Sequence, residues 1–97
     1  MHKIKKDKYQ RARGGHSKIY EVACEHCKNK ILTYQKDGDG VLKRMYRDRI
    51  VSWSQEDSLS CNKCNRTFGI NIIYQKENRP AIRLFVGSIK KHLIYKA

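Results

Sequence analysis

From Lys18 onward the chain alternates short apolar stretches with polar breaks, at the spacing of strands and not of long amphipathic helices. Ile19-Tyr20-Glu21-Val22-Ala23 and Ile31-Leu32-Thr33-Tyr34-Gln35 are rich in β-branched and aromatic residues, which fit a pleated, half-buried surface. Val41 to Tyr46, Arg49 to Ser54, Thr67 to Tyr74 and Ala81 to Val86 follow the same rule. Pro80 suits the opening of the last of these, because it has no N–H to lose there. Ser88 to Tyr95 is too short for periodicity to separate a final strand from a helix. The pattern predicts a mostly β fold of about six or seven strands in small antiparallel sheets, with little helix. Asp37-Gly38-Asp39-Gly40, set between two extended runs, predicts a β-hairpin.

Residues 1–17 break this pattern. Ile4 and Tyr9 are their main apolar residues, and the segment runs into Gly14-Gly15, so it cannot offset its ordering entropy by burial. It is expected to be a flexible basic arm ahead of a single domain over 18–97. A chain of 97 residues buries only about 60–65% of its unfolded surface, and a core that small commonly needs a staple.

The four cysteines offer one. Cys24-Glu25-His26-Cys27 and Cys61-Asn62-Lys63-Cys64 each follow a β run and lead into a polar turn. A C-x₂-C turn sets two thiolates on one side of a tight loop, and two such turns complete the four ligands of a structural Zn²⁺, at about 2.3 Å from each sulfur. Lys28, Lys30, Lys63 and Arg66 favour the thiolate form. Two disulfides and a redox pair are the competing readings, and His26 is expected to face solvent. The 33 residues between Cys27 and Cys61 exceed the about 15–20 of a small zinc ribbon, so the insert is expected to form a sheet of its own.

Charge changes the picture next. Twenty-two Lys and Arg against nine Asp and Glu give +13, which four thiolates on one Zn²⁺ would lower to about +11. Both ends are basic, +6 over residues 1–18 and +7 over 61–97, while the middle is nearly neutral. Such an excess points to a polyanionic partner, nucleic acid before membrane, since no amphipathic anchor helix is evident. The N-terminal HKIKKDKYQRARGG has no apolar run of the kind found in a secretory leader, so an intracellular location, cytoplasmic or in the nucleoid or nucleus, is expected.

Other chemistries are poorly served. Asp37-Gly38-Asp39-Gly40 lacks the glycine position and closing Glu of a calcium loop, and no Gly-Lys-Ser/Thr follows to make a phosphate loop. The histidines are scattered, and Asp48 between Arg47 and Arg49 reads as an ion-pair partner more than a general base.

The order strand, C-x₂-C, long β insert, C-x₂-C-x₄-G and aliphatic strand resembles the zinc-anchored β-tent group, in which Cys61, Cys64 and Gly69 supply the second half of the signature. That group includes yippee-like proteins, the thalidomide-binding domain of cereblon, the Mis-type centromere proteins and methionine-R-sulfoxide reductases. Asn65 stands where the group commonly has Gly. The resemblance covers Tyr20 to Tyr74 and implies a structural zinc. A reductase of this kind needs a nucleophilic cysteine beyond the four on zinc, and the chain has none, so no enzymatic role is expected. A different zinc-ribbon or rubredoxin-like arrangement is the other reading of the same spacing.

The expected function is therefore nucleic-acid or ribonucleoprotein binding through phosphates. Its candidate residues are Lys3, Lys5, Lys6, Arg11 and Arg13 in the arm, Arg44, Arg47 and Arg49 in the middle, and Arg79, Arg83, Lys90 and Lys91 toward the C-terminus. Trp53, Phe68 and Phe85 are read as core before stacking platform. The alternative is a protein-interaction or ligand-binding adaptor whose charge serves solubility.

Overall fold

The computed structural model describes residues 4, 7–12, 17–38, 41–53 and 58–96, and all that follows concerns these. The strand pattern becomes seven strands. β1 (Ser17–Cys24), β2 (Lys30–Asp37), β4 (Ile50–Trp53) and β7 (Ile89–Lys96) form one sheet in the order β4-β2-β1-β7. β3 (Arg44–Tyr46), β5 (Gly69–Tyr74) and β6 (Arg79–Leu84) form a second, in the order β3-β6-β5. Every pairing is antiparallel, as the fold class requires. Among the described residues, helical structure is confined to α1 (Lys8–Ala12) and a 3₁₀ turn at Arg47–Arg49, and no helix is long and apolar enough to cross a membrane.

β2 has neighbours on both edges, and Ile31 to Lys36 are all buried. Val22, Leu32 and Tyr34 from the first sheet meet Met45 and Ile82 from the second, with Phe68 and Cys61 between them, in one cluster. Each such side chain contributes about 1.5–3 kcal/mol through burial. Tyr34 also joins the sheets by hydrogen bond: its hydroxyl accepts the Tyr46 N–H at 2.8 Å. Burial holds that hydroxyl far above its ordinary pKa, so it remains a neutral acceptor at any physiological pH.

Two sequence expectations give way to tertiary arrangement. The strands flanking Asp37-Gly38-Asp39-Gly40 do not form a hairpin, because β2 is paired with β1 and β4 while β3 pairs with β6. Turn propensity is local, whereas the second edge of β2 goes to β4, which sets Ile50 opposite Tyr34 and Trp53 opposite Leu32. β3 then seals Met45 completely against the other sheet. For the same reason the insert between the knuckles does not make a sheet of its own: β2 and β4 join β1 and β7, and β3 crosses to β6.

Of the expected arm, residues 4, 7–12 and 17 are described. Within it, Asp7 Oδ1 accepts the N–H groups of Tyr9 and Gln10 and opens α1, and the same oxygen takes the Arg49 guanidinium. Gln10 is buried and donates to Ser17 Oγ at 3.2 Å, while the Tyr9 ring lies 4.0 Å from the Arg79 guanidinium carbon. Asp7, Tyr9 and Gln10 thus touch the domain at Arg49, Arg79 and Ser17.

Candidate metal centre

The two C-x₂-C turns are built alike. In the first, the Cys24 N–H donates to the Asn29 carbonyl at 2.9 Å and the Lys28 N–H returns to the Cys24 carbonyl at 2.8 Å. In the second, Cys61 N–H to Arg66 O and Asn65 N–H to Cys61 O are both 2.8 Å. The fifth residue of each turn has positive φ, 64° at Lys28 and 63° at Asn65. Asn tolerates that conformation well and Lys less so.

β1 delivers the first knuckle and the Ser60–Thr67 bridge closes the second, so the four Sγ atoms converge within 4.8 Å of one another. Cys24 Sγ lies 3.6 Å from Cys64 Sγ, and Cys27 Sγ lies 3.5 Å from Cys61 Sγ. A tetrahedron with metal–sulfur bonds of about 2.3 Å has edges of about 3.8 Å, so both contacts match the span of one tetrahedral ion. All four thiols are free of disulfides. Asn29 Nδ2 donates to Asn62 Oδ1 at 2.9 Å and approaches Cys61 Sγ at 3.9 Å, latching one knuckle to the other.

The acid–base state of the cluster has the same meaning. Burial raises the Cys61 thiol, but the N–H groups of Cys64 and Lys63 and the neighbouring thiols bring it down to about 6. Burial also opposes ionisation of Cys24, where the N–H groups of Cys27 and His26 and the Cys64 thiol outweigh it and lower the value. Cys64 is lowered by the Arg66 N–H, yet burial and the three other sulfurs carry it up to about 11. Thiolates this close cannot all ionise unless a cation sits among them. Soft sulfur donors in tetrahedral array with backbone N–H support fit a metal ion such as Zn²⁺. His26 is exposed, as expected.

The candidate phosphate ligands divide sharply. Arg49 is 2% exposed and its guanidinium is held by Asp37, at 2.7 Å through Nε, and by Asp7. Arg79 is 3% exposed and pairs with Asp48 at 2.7 Å and Glu77 at 2.8 Å, with its guanidinium carbon 3.8 Å from the centroid of the Tyr46 ring. These two arginines are part of the interior and are withdrawn from the phosphate set, because their charge is already met by carboxylates. Asp48 is an ion-pair partner, as its sequence setting suggests, but the arginine it serves lies 31 residues away, and Asp7 lies 42 residues from Arg49, so the two clusters are not legible in the sequence. Arg47 donates to Asn71 Oδ1 and stacks 5.5 Å from Trp53.

Arg11, Arg83, Lys90 and Lys91 are exposed and Arg44 is half-buried, with its guanidinium over the Tyr74 ring at 4.1 Å. Lys3, Lys5, Lys6 and Arg13 lie outside the described residues. Of the aromatics expected in the core, Phe68 is buried and Trp53 packs at its edge, but Phe85 is 44% exposed. Comparison with family models, with curated proteins and with solved structures finds no match to this chain.

Proposed function

We propose that the protein is a small Zn²⁺-stabilised binding module that takes nucleic acid or a ribonucleoprotein mainly through phosphate contacts. Cys24, Cys27, Cys61 and Cys64 would hold the ion in a purely structural role, with all four thiols engaged and a binding rather than catalytic purpose for the chain.

The observation that carries the reading is the internal use of acidic groups. Arg49 and Arg79 engage Asp7, Asp37, Asp48 and Glu77. Setting those six aside leaves 20 of the 22 Lys and Arg and five of the nine Asp and Glu, a balance of +15 against +13 for the whole chain. The cluster itself carries −2, so the net charge of the chain stays +13, but the positive excess lies outside the cluster, and solubility needs only a net charge of about 2–8. A salt-dependent titration tests this. Labelled oligonucleotide should bind with an affinity that falls steeply between 50 and 200 mM salt, and weak binding without a salt slope would refute it.

One observation favours the adaptor reading as a second possibility. β7 is an edge strand with nearly every residue exposed, Leu93, Ile94 and Tyr95 among them, and such an edge can accept a peptide as an added strand. Under that reading the same titration shows no slope, and a peptide replaces the oligonucleotide.

A further inference from the structure

The interior explains Arg49 and Arg79, but a second group of cations has no such explanation. Arg44 and Arg83 are directly opposite each other in the β3–β6 ladder. Like charges in that relation repel, and an antiparallel sheet has no structural use for them. Neither forms an ion pair among the described residues. Arg44 rests on Tyr74 instead, and Arg83 is exposed.

Both line a groove of about 740 Å³ between the end of β6, the start of β7 and the segment 41–44. That volume is within the about 300–1,000 Å³ of ligand sites. Lys43 and Lys91 add two more cations to its wall, and no carboxylate lines it among the described residues. Between the cations the surface is apolar: Leu84, Phe85, Val86 and Ile89 all contribute. Val86 is fully exposed and Phe85 is 44% exposed, so the apolar floor is uncovered. The loop that carries them is anchored from beneath, by Phe85 N–H to the Phe68 carbonyl at 2.9 Å and by Ser88 Oγ to the same carbonyl at 2.9 Å. Phe68 adjoins the second knuckle in sequence and belongs to the core cluster, so the metal centre and the groove share one support.

We propose that this groove receives unpaired nucleotides of a single-stranded nucleic acid, bases against Phe85 and Val86 and successive phosphates on Arg83, Arg44, Lys43 and Lys91. The inference rests on the nucleic-acid reading and names the form of the ligand. A duplex presents phosphates but keeps its base faces stacked, and would leave the apolar floor uncovered. An unpaired strand supplies both chemistries at the spacing of neighbouring side chains, since every base has a face to stack and every linkage a charge. An acidic peptide would meet the cations, but its carboxylate side chains bring no apolar face to the floor.

The test uses the full metal-loaded chain and fluorescence anisotropy with a 12-nucleotide single strand, a hairpin duplex of equal charge and polyglutamate. The single strand should bind on the order of tenfold tighter than the duplex, and Phe85→Ala should weaken only the single strand, about fivefold or more. Four phosphate contacts give a single-strand salt slope of about −2.8, a loss of about 50-fold between 50 and 200 mM, and Arg44→Gln with Arg83→Gln should lower that slope by about 1.4. Lys76→Gln, on the exposed β5–β6 turn, should leave the single-strand preference intact. Phe85 and Arg83 are exposed, so unchanged melting curves will confirm that the variants fold. Equal affinity for single strand and duplex, an inert Phe85→Ala variant, or polyglutamate bound as tightly as the oligonucleotide overturns the groove assignment, while a persisting salt slope for the oligonucleotides leaves phosphate binding standing. Absence of any salt-dependent binding to either nucleic acid overturns both.

Discussion

Arg49 has the most sharply defined energetics in the molecule. Its side chain is 1% exposed, and Asp37, which it binds at 2.7 Å, is 4% exposed. Replacing it by Met keeps the buried methylene volume but leaves the Asp37 carboxylate, which still accepts from Ser17 and Gln35, without its cation in a site that water barely reaches. An exposed ion pair is worth about 0–1 kcal/mol, whereas removing one partner of a buried pair costs about 3–5 kcal/mol because the other charge remains uncompensated. A chain of 97 residues has a total stability of about 5–15 kcal/mol. Arg49→Met should therefore remove about a fifth of it or more and lower the melting temperature by about 12–40 °C. Urea unfolding followed by Trp53 fluorescence gives the loss directly. Adding Asp37→Asn to Arg49→Met should restore part of it, because the stranded charge is then gone. A loss below about 1 kcal/mol, or no recovery in the double variant, would show that water or another cation reaches Asp37 and would refute the buried-pair reasoning.

Other consequences can be checked in the same way. Gly69→Ala should destabilise by about 1–3 kcal/mol, since a Cβ there would lie 2.6 Å from the Arg83 carbonyl oxygen and 2.8 Å from Ile82 Cγ2; a neutral effect in urea melts would mean that the β5–β6 pair can shift apart. Chelation of metal-loaded protein should unfold it, as structural Zn²⁺ contributes about 10–16 kcal/mol, and circular dichroism unchanged after metal removal would count against the centre. Asp7 accepts from the Arg49 guanidinium, which lowers its carboxyl from 3.8 to about 2. A lowered folded value means that the contribution is present above the ordinary value and lost as pH falls, so the stability difference between wild type and Asp7→Asn should be level above about pH 5 and shrink from there toward pH 2. A difference that already shrinks between pH 7 and 5 would speak against this pair.

Chain pattern alone determined a good deal. Strand character is a local property, set by β-branched and aromatic residues at period two, and it located six of the seven strands to within a few residues; Ser88 to Tyr95 is open between strand and helix in the sequence, and pairing with β1 makes it β7. The C-x₂-C spacing determined the thiol pairs, because three residue steps in a tight turn limit how far apart its two sulfurs can lie, and the twin motif implied that both pairs serve one centre. What sequence could not supply was which strand takes which edge. The signal at Asp37-Gly38-Asp39-Gly40 was that of a hairpin, yet β4 displaced β3 from β2, since burial of Met45 and Tyr34 is a property of two sheets together. Charge behaved likewise. In sequence Arg49 and Arg83 are the same residue type, each beside β-branched or aliphatic neighbours, and neither is marked as buried or free. Only the fold, by bringing Asp7 and Asp37 to one and leaving the other opposite Arg44, made the first a buried tie and the second an open cation, because Coulomb energy and desolvation depend on distances in space and on access to water.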